Sequence, residues 1–362
     1  MKFNLTKISF LFGIFLLLYA CNSTKRVKDG EFLLTENKVE TGVDTISGSK
    51  LKPYISLKPN SKFLFGVPLK LYIANMAKPN ADSAFINWLQ KKPKREQRLT
   101  KFLSKKQLKK LGELYVGLNE GLIKNGETPS VLSREKLIKS QQTLKSWYWN
   151  KGWFNAEVDY EIKKDTTNKK AKVKYTITPN KAYTIDSISY NITSKDADSI
   201  YNSIKDKSFV KDKQQFDTEN FTKERLRIEN YFRNHGLYYF DRDYISFIAD
   251  SLNENPQKLN VILNIKDREI KFLDTTYSSK FKVHSISEVN VFTDYSTQEK
   301  YISKDSAHYS NKIFFAKNKM KVSPKILSDA IFIEKGEVFS DKNRKDTYNR
   351  FSNMRVFEYP DI

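Results

Sequence analysis

Leu137-x6-Leu144-x2-Trp147-Tyr148-x-Asn150-x-Gly152-Trp153-Phe154 returns 84 residues later as Phe221-x6-Ile228-x2-Tyr231-Phe232-x-Asn234-x-Gly236-Leu237-Tyr238. The first four positions of each copy, spaced 0, +7, +10 and +11, make one apolar stripe on a helix, and Asn-x-Gly then supplies residues tolerant of positive φ at its end. Extended, aromatic-rich segments follow each helix. They are 153–163 and 171–178 in the first copy and 239–249 and 258–265 in the second, where alternation at Val173, Tyr175, Ile177 and at Leu259, Val261, Leu263, Ile265 predicts half-buried strands. Upstream of the second long helix, 182–192 reads as a strand and 196–205 as a short helix. The repeating unit is therefore β-α-α-β-β, an α+β architecture in tandem. A third copy is expected from Lys280, where Phe281-x-Val283-x-Ser285-Ile286 echoes Tyr183-x-Ile185-x-Ser187-Ile188 at a spacing of 98. It continues through a short helix opened by Ser323-Pro324, a second helix over 340–353 and a strand beginning at Val356-Phe357, with Arg355 in the place of the glycine. The first copy starts near Glu31, with a strand through Phe32, Leu34 and Val39 and a short helix over 50–58.

Residues 59–130 interrupt that first copy. Within them, 98–118 reads as one helix with Leu99, Phe102, Leu103, Leu111, Leu114, Tyr115 and Leu118 on one face and Lys101, Lys105, Lys106, Lys109 and Lys110 largely opposite. Such a face either packs on its own domain or lies on an anionic membrane. The apolar run 63–76 is broken by Gly66, Pro68 and Lys70 and is too interrupted to span a bilayer.

The chain has 362 residues and a net charge of +22, with one Cys, 12 Gly and 45 Phe and Tyr (25 and 20), so it can build cores but not an internal disulfide or a Cys-based zinc site. Lys2 and Lys7 precede an apolar run over 8–18, and Leu18-Tyr19-Ala20-Cys21 has the form of a bacterial lipobox. The single Cys stands where lipidation needs it, which makes Cys21 the candidate acylation site; a signal peptide with an unrelated Cys, or an uncleaved anchor, is the alternative. Cleavage before Cys21 would remove Lys2 and Lys7 and no acid, leaving +20 on an exported chain. Export argues against nucleic acid as the anionic partner and for a membrane surface, with a charge that merely keeps the surface solvated and soluble as the alternative. Asn22, in place of an inner-membrane retention aspartate, and the absence of an acidic cluster after Cys21 favour the outer membrane with the chain facing the periplasm.

Enzyme signatures are missing. His235, His284 and His308 are scattered, there is no G-x-S-x-G, phosphate loop or dinucleotide fingerprint, and the pairs Glu157/Asp159 and Asp241/Asp243 read as solvent-face charges on strands. No cofactor and no metal site is expected.

The strand-helix-helix-strand-strand repeat with Asn-x-Gly-aromatic corners resembles the POTRA domain of the outer-membrane β-barrel assembly superfamily that includes BamA and TamA. Within it, Cys21, 29-DGEFLL-34, 58-KPNSKFL-64, Gly126-Glu127-x-Pro129 and 152-GWFNA-156 resemble the TamL-type lipoproteins. The resemblance implies a lipoprotein signal peptide at 1–20, a tether at 21–30, a POTRA-like domain at 31–179 with the insertion 59–130, a second at 180–267 and a truncated third at 280–362. Family members continue into a transmembrane barrel, which would need residues beyond Ile362; a fragment, a shortened product and a free-standing form all fit. Without a last strand, 280–362 is expected to be the least stable part.

The resemblance implies two non-enzymatic functions. In one, unfolded outer-membrane or surface proteins are guided by β-augmentation on second-strand edges, mapped to Ala156, Val158, Tyr160 and Ile162 and to Tyr239, Tyr244 and Ile248. In the other, the chain is a lipid-anchored scaffold for folded partners of an envelope-spanning complex. An inner-membrane translocation partner is implied in addition. Asn150, Gly152, Asn234 and Gly236 are assigned structural roles at helix ends.

Overall fold

The structure is a computed structural model that describes residues 22–63, 66–92, 94–251, 256–295, 302–357 and 360–362. The lipidation candidate Cys21 lies outside them. Among the described residues the fold is mixed α+β, with three three-stranded sheets and a two-stranded ribbon. It divides into two compact units, one formed by 1–149 with 155–180 and the other by 150–154 with 181–362.

In the first unit, β1 (Leu33–Glu40) lies parallel to β3 (Lys170–Thr178), and β2 (Glu157–Asp165) pairs antiparallel with β3, giving the order β1-β3-β2. The alternation in β3 does what its sequence predicts: Ala171, Val173, Tyr175 and Ile177 are buried. Leu137, Leu144 and Tyr148 of the helical stripe are buried too, and the Tyr148 hydroxyl donates to the Thr41 carbonyl at 2.7 Å. The short helix after β1 is smaller than expected: α1 covers Gly48–Leu51, capped by Ser47, and 52–54 tighten into a 3-10 turn where Pro53 removes a donor.

The described residues of the insertion fold as four helices: α2 (Leu69–Met76), α3 (Ala81–Gln90), α4 (Arg95–Phe102) and α5 (Lys105–Asn125). The expected single helix over 98–118 is thus two. Ser104 breaks it, because its side chain accepts from the Gln107 N–H while Gln107 reaches back to the Ser104 N–H, a reciprocal cap that starts a new helix. The packed face also differs from the expected one. Leu108, Gly112, Tyr115 and Asn119 face the bundle, with Phe85 against Gly112 and Tyr115, while Leu111, Leu114 and Leu118 are exposed. The long helix α6 (Arg134–Asn150) leads into β2.

The second unit repeats the plan. Here β4 (Thr184–Ile192) is parallel to β6 (Lys258–Ile265), β5 (Ile245–Asp250) is antiparallel to it, and α7 (Lys195–Asn202) and α8 (Thr218–Asn234) separate β4 from β5. Ile228 and Phe232 of the stripe pack with Leu237, Phe240, Leu263 and Ile265. The ribbon of β7 (Arg268–Phe272) and β8 (Thr275–Ser279) follows.

The third sheet departs from the expected order. Between β9 (Asn290–Phe292) and the helices α9 (Pro324–Ser328) and α10 (Asp341–Met354) lies a hairpin, β10 (Asp305–Tyr309) and β11 (Lys312–Ala316), with β11 parallel to β9. Its echo of the second repeat is also displaced. Phe216 N–H donates to Tyr183 O and Ile185 N–H to Gln214 O, as Phe339 N–H does to His284 O and Ile286 N–H to Glu337 O. These bonds align Tyr183 with His284, so the spacing is 101, not 98. Phe281, which the shorter spacing set on Tyr183, packs instead on Phe240 and Tyr244, each at 5.0 Å, inside the second core. Val356 and Phe357 are not in a strand. Arg355 ends α10 by adopting φ +54° itself, so no glycine is needed there.

Candidate strand-edge interface

Which main-chain groups a sheet leaves open follows from strand parity, since successive residues turn their N–H and C=O to opposite sides. In β3, Lys169 O accepts from Leu33, so odd residues face β1 and even residues face β2. The register Glu157↔Thr178 to Asp165↔Lys170 then commits 157, 159, 161, 163 and 165 to β3. Val158, Tyr160, Ile162 and Lys164 turn their main chains outward. The Val158 carbonyl is taken by Gln141 Nε2 from α6, which leaves Tyr160 to Lys164 as the open stretch. Ala156 and Val158 are buried, Tyr160 is half-buried and Ile162 is 37% exposed.

In the second sheet, Lys266 N–H donates to Tyr244 O, so even residues of β6 face β5. Pairing of Ile248 with Ile262 therefore commits Ile248 to the ladder, and Ile245, Phe247 and Ala249 turn outward. Ile248 is nonetheless 53% exposed. Tyr239 and Tyr244 precede the strand: Tyr239 lies under the Arg268 guanidinium at 3.7 Å from its ring centre, and Tyr244 sits in a 3-10 turn. Asp241 caps that turn by accepting from the Asp243 N–H, so this acidic pair is not on a strand. In both edge strands the residues with core-facing side chains are those with outward main chains, a parity that the side-chain pattern alone does not reveal.

The opposite edges are capped at their starts. Leu34 N–H donates to Ser130 O and Leu132 N–H to Phe32 O on β1; on β4, Ile185 N–H donates to Gln214 O and Lys213 N–H to Ile185 O. In the third sheet, Val289 O accepts from Ile313 and Thr293 N–H donates to Phe315 O, so the odd residues of β9 face β11. The other side of β9 faces a cleft of about 820 Å³ floored by Ile331, Ile333 and Phe351.

The helix-end residues build two similar corners in the second unit. Gly152 (φ +89°) accepts at its carbonyl from Tyr183 N–H at 2.8 Å, and Gly236 (φ +93°) from His284 N–H at 2.9 Å. A Cβ on Gly152 would stand 2.7 Å from the Phe216 carbonyl oxygen, and one on Gly236 2.6 Å from a Val283 methyl. Lys151 bridges Asp217 at 2.7 Å and Glu219 at 3.1 Å. Burial works against its charge, but these two carboxylates outweigh that and raise its pKa; Glu219, held by Lys223 and Lys151, falls to about 2. At the other corner Arg233 bridges Asp341 at 3.0 Å, and Asn234 Oδ1 accepts from the Lys342 N–H of α10 at 2.7 Å. Burial would raise the Asp341 pKa, yet Arg233, Lys345 and Arg344 hold it well below the ordinary 3.8. Asn150 is the last residue of α6. Sequence reading found the glycines but missed these ion pairs, because their acids lie 66 to 108 residues from their bases.

Among the described residues no group of three or more His, Cys, Asp or Glu is placed to hold a metal, and no helix is long and apolar enough to cross a membrane.

Residues 98–180 match the POTRA family model, described as surface antigen variable number repeat. That stretch contains α6, β2 and β3, and with them the first open edge. Structural similarity extends to POTRA3-5 of BamA from Haemophilus influenzae, with 10% identity, TM-score 0.36 and coverage of 92% of this chain and 91% of that one. The N-terminal domain of Omp85 from Thermosynechococcus elongatus follows with 8% identity, TM-score 0.27 and coverage of 91% and 89%. POTRA1-3 of Omp85 from Anabaena has 9% identity, TM-score 0.25 and coverage of 91% and 88%. No curated protein matches the sequence.

Proposed function

We propose that this chain is the periplasmic part of an outer-membrane assembly or translocation lipoprotein of the TamL type, anchored through Cys21, whose POTRA-like modules hold unfolded outer-membrane or surface proteins as added strands. The modules are taken as 31–179, 180–267 and 280–362. The observation that carries this reading is the pair of open second-strand edges, Tyr160 to Lys164 on β2 and Ile245 to Ala249 on β5, on sheets whose first strands are capped at their starts. An extended client pairs there through main-chain bonds, which are tolerant of sequence. Each contact is weak, with an affinity of about micromolar or poorer, and a long client engaging both edges gains by avidity. Hydrolytic or redox chemistry has no place in this reading.

The test places a photo-crosslinking amino acid at Ile162 or Ala249 and offers an unfolded outer-membrane barrel protein beside a folded soluble control. Crosslinks to the unfolded protein alone are expected. Crosslinks only to folded envelope partners would replace the guiding role with the scaffold role. For the anchor, palmitate should label the wild type and not Cys21→Ala; equal labelling of both would refute it.

A further inference from the structure

The helical insertion carries a second surface that the strand edges do not use. Residues 91–110 hold ten Lys and Arg against a single acid, Glu96. Lys91, Lys92, Lys94, Arg98, Lys101, Lys105, Lys106, Lys109 and Lys110 are all exposed. Amid this charge stand apolar side chains with no cover: Phe102 at the end of α4 is 88% exposed, and Leu114 and Leu118 of α5 are each 61% exposed. On α5 the exposed Leu111, Leu114 and Leu118 are spaced i, i+3 and i+7, one stripe along the helix. It is not the stripe that packs, since Leu108 and Asn119 are buried, Phe85 of α3 lies against Gly112 and Tyr115, and the Asn119 side chain accepts from the Lys78 N–H at 2.8 Å. Lys106 and Lys110 border the exposed stripe on its other side, one turn apart. The helix thus has a packed face, an apolar face turned to solvent, and a lysine border beside it.

We infer that α4 and α5 form a docking surface for an anionic phospholipid membrane, with Phe102, Leu111, Leu114 and Leu118 entering the headgroup boundary and the flanking lysines meeting lipid phosphates. Bare polyanions would satisfy the lysines but not the leucines, and an apolar protein groove would satisfy the leucines but not so dense a basic border. The combination of both is the chemistry of an interfacial helix. This surface does not depend on the strand edges and stands whether or not they hold clients.

The experiment uses residues 22–362, which contain every element described above and lack Cys21, with vesicles of phosphatidylcholine alone or mixed with phosphatidylglycerol. Cosedimentation is expected with phosphatidylglycerol, falling as salt rises, and not with phosphatidylcholine. The variant Lys105→Glu/Lys106→Glu/Lys109→Glu/Lys110→Glu should lose about a hundredfold or more in vesicle affinity. Leu114→Ser/Leu118→Ser should lose about tenfold without changing the salt dependence. All these positions are exposed, and unchanged circular dichroism would verify folding. Equal binding to both vesicle types would overturn the inference. So would leucine variants that bind like wild type, which would leave only a polyanion site.

Discussion

The Gly236 corner and the β5 edge lie within one unit and a few residues of each other, yet they treat their main chains in opposite ways. At the corner the Gly236 carbonyl, the Asn234 side chain and the Arg233 guanidinium all find partners in 284–342, so the chain is closed on itself. At the edge Phe247 and Ala249 turn their main chains away from β6, and toward no other strand among the described residues. The same contrast separates Gly152 from Tyr160 and Ile162 on β2. Corners are where damage costs stability; edges are where it costs binding. Polar main-chain groups must be satisfied by something, and the difference lies in whether the protein itself supplies the partner.

The largest expected effect breaks a corner. Gly152→Val puts a β-branched residue at φ +89° with its Cβ 2.7 Å from a carbonyl oxygen, and should lower stability by about 3 kcal/mol or more. Gly236→Val meets side-chain methyls that can shift, so its cost should be smaller; equal denaturant midpoints for both would contradict this ordering. Next comes a proline pair on one strand. Ile248→Pro removes a ladder donor and should cost about 3 kcal/mol, whereas Ala249→Pro removes an outward donor and should cost under about 1 kcal/mol. A reversed order in chemical denaturation would show that the parity is wrong.

A third effect is pH-dependent. Because the Asp341 pKa is depressed in the folded chain, its contribution is present above its ordinary 3.8 and is lost as pH falls through the folded value. Asp341→Asn should therefore lower stability at neutral pH by about 2 kcal/mol and flatten its decline below pH 4, read from thermal unfolding across pH. An unchanged acid limb would assign the loss elsewhere.

Much of this contrast was legible in the sequence on the corner side and little on the edge side. The stripe Leu137, Leu144, Trp147, Tyr148 and the glycines at 152 and 236 are local patterns of helix periodicity and backbone freedom, and both read directly. The edges needed register. The side-chain alternation of β5 cannot say whether Ile248 or Ala249 spends its N–H on the ladder, and that is fixed only by the partner strand. Tyr239 and Tyr244 looked like strand residues because aromatics favour strands, but Asp241 caps a turn between them and delays the strand to Ile245. The 98-residue echo at Phe281 failed for a related reason: an aromatic suited to opening one core was claimed by the core before it.

The most direct test of the edge account is the affinity of a peptide copying one outer-membrane barrel strand for the double variant Ile162→Pro/Ala249→Pro, with hydrogen exchange reporting the fold. Exchange should stay protected in β3 and β6 while peptide affinity falls about tenfold or more. Wild-type affinity with the same protected core would contradict the claim that these two edges receive strands.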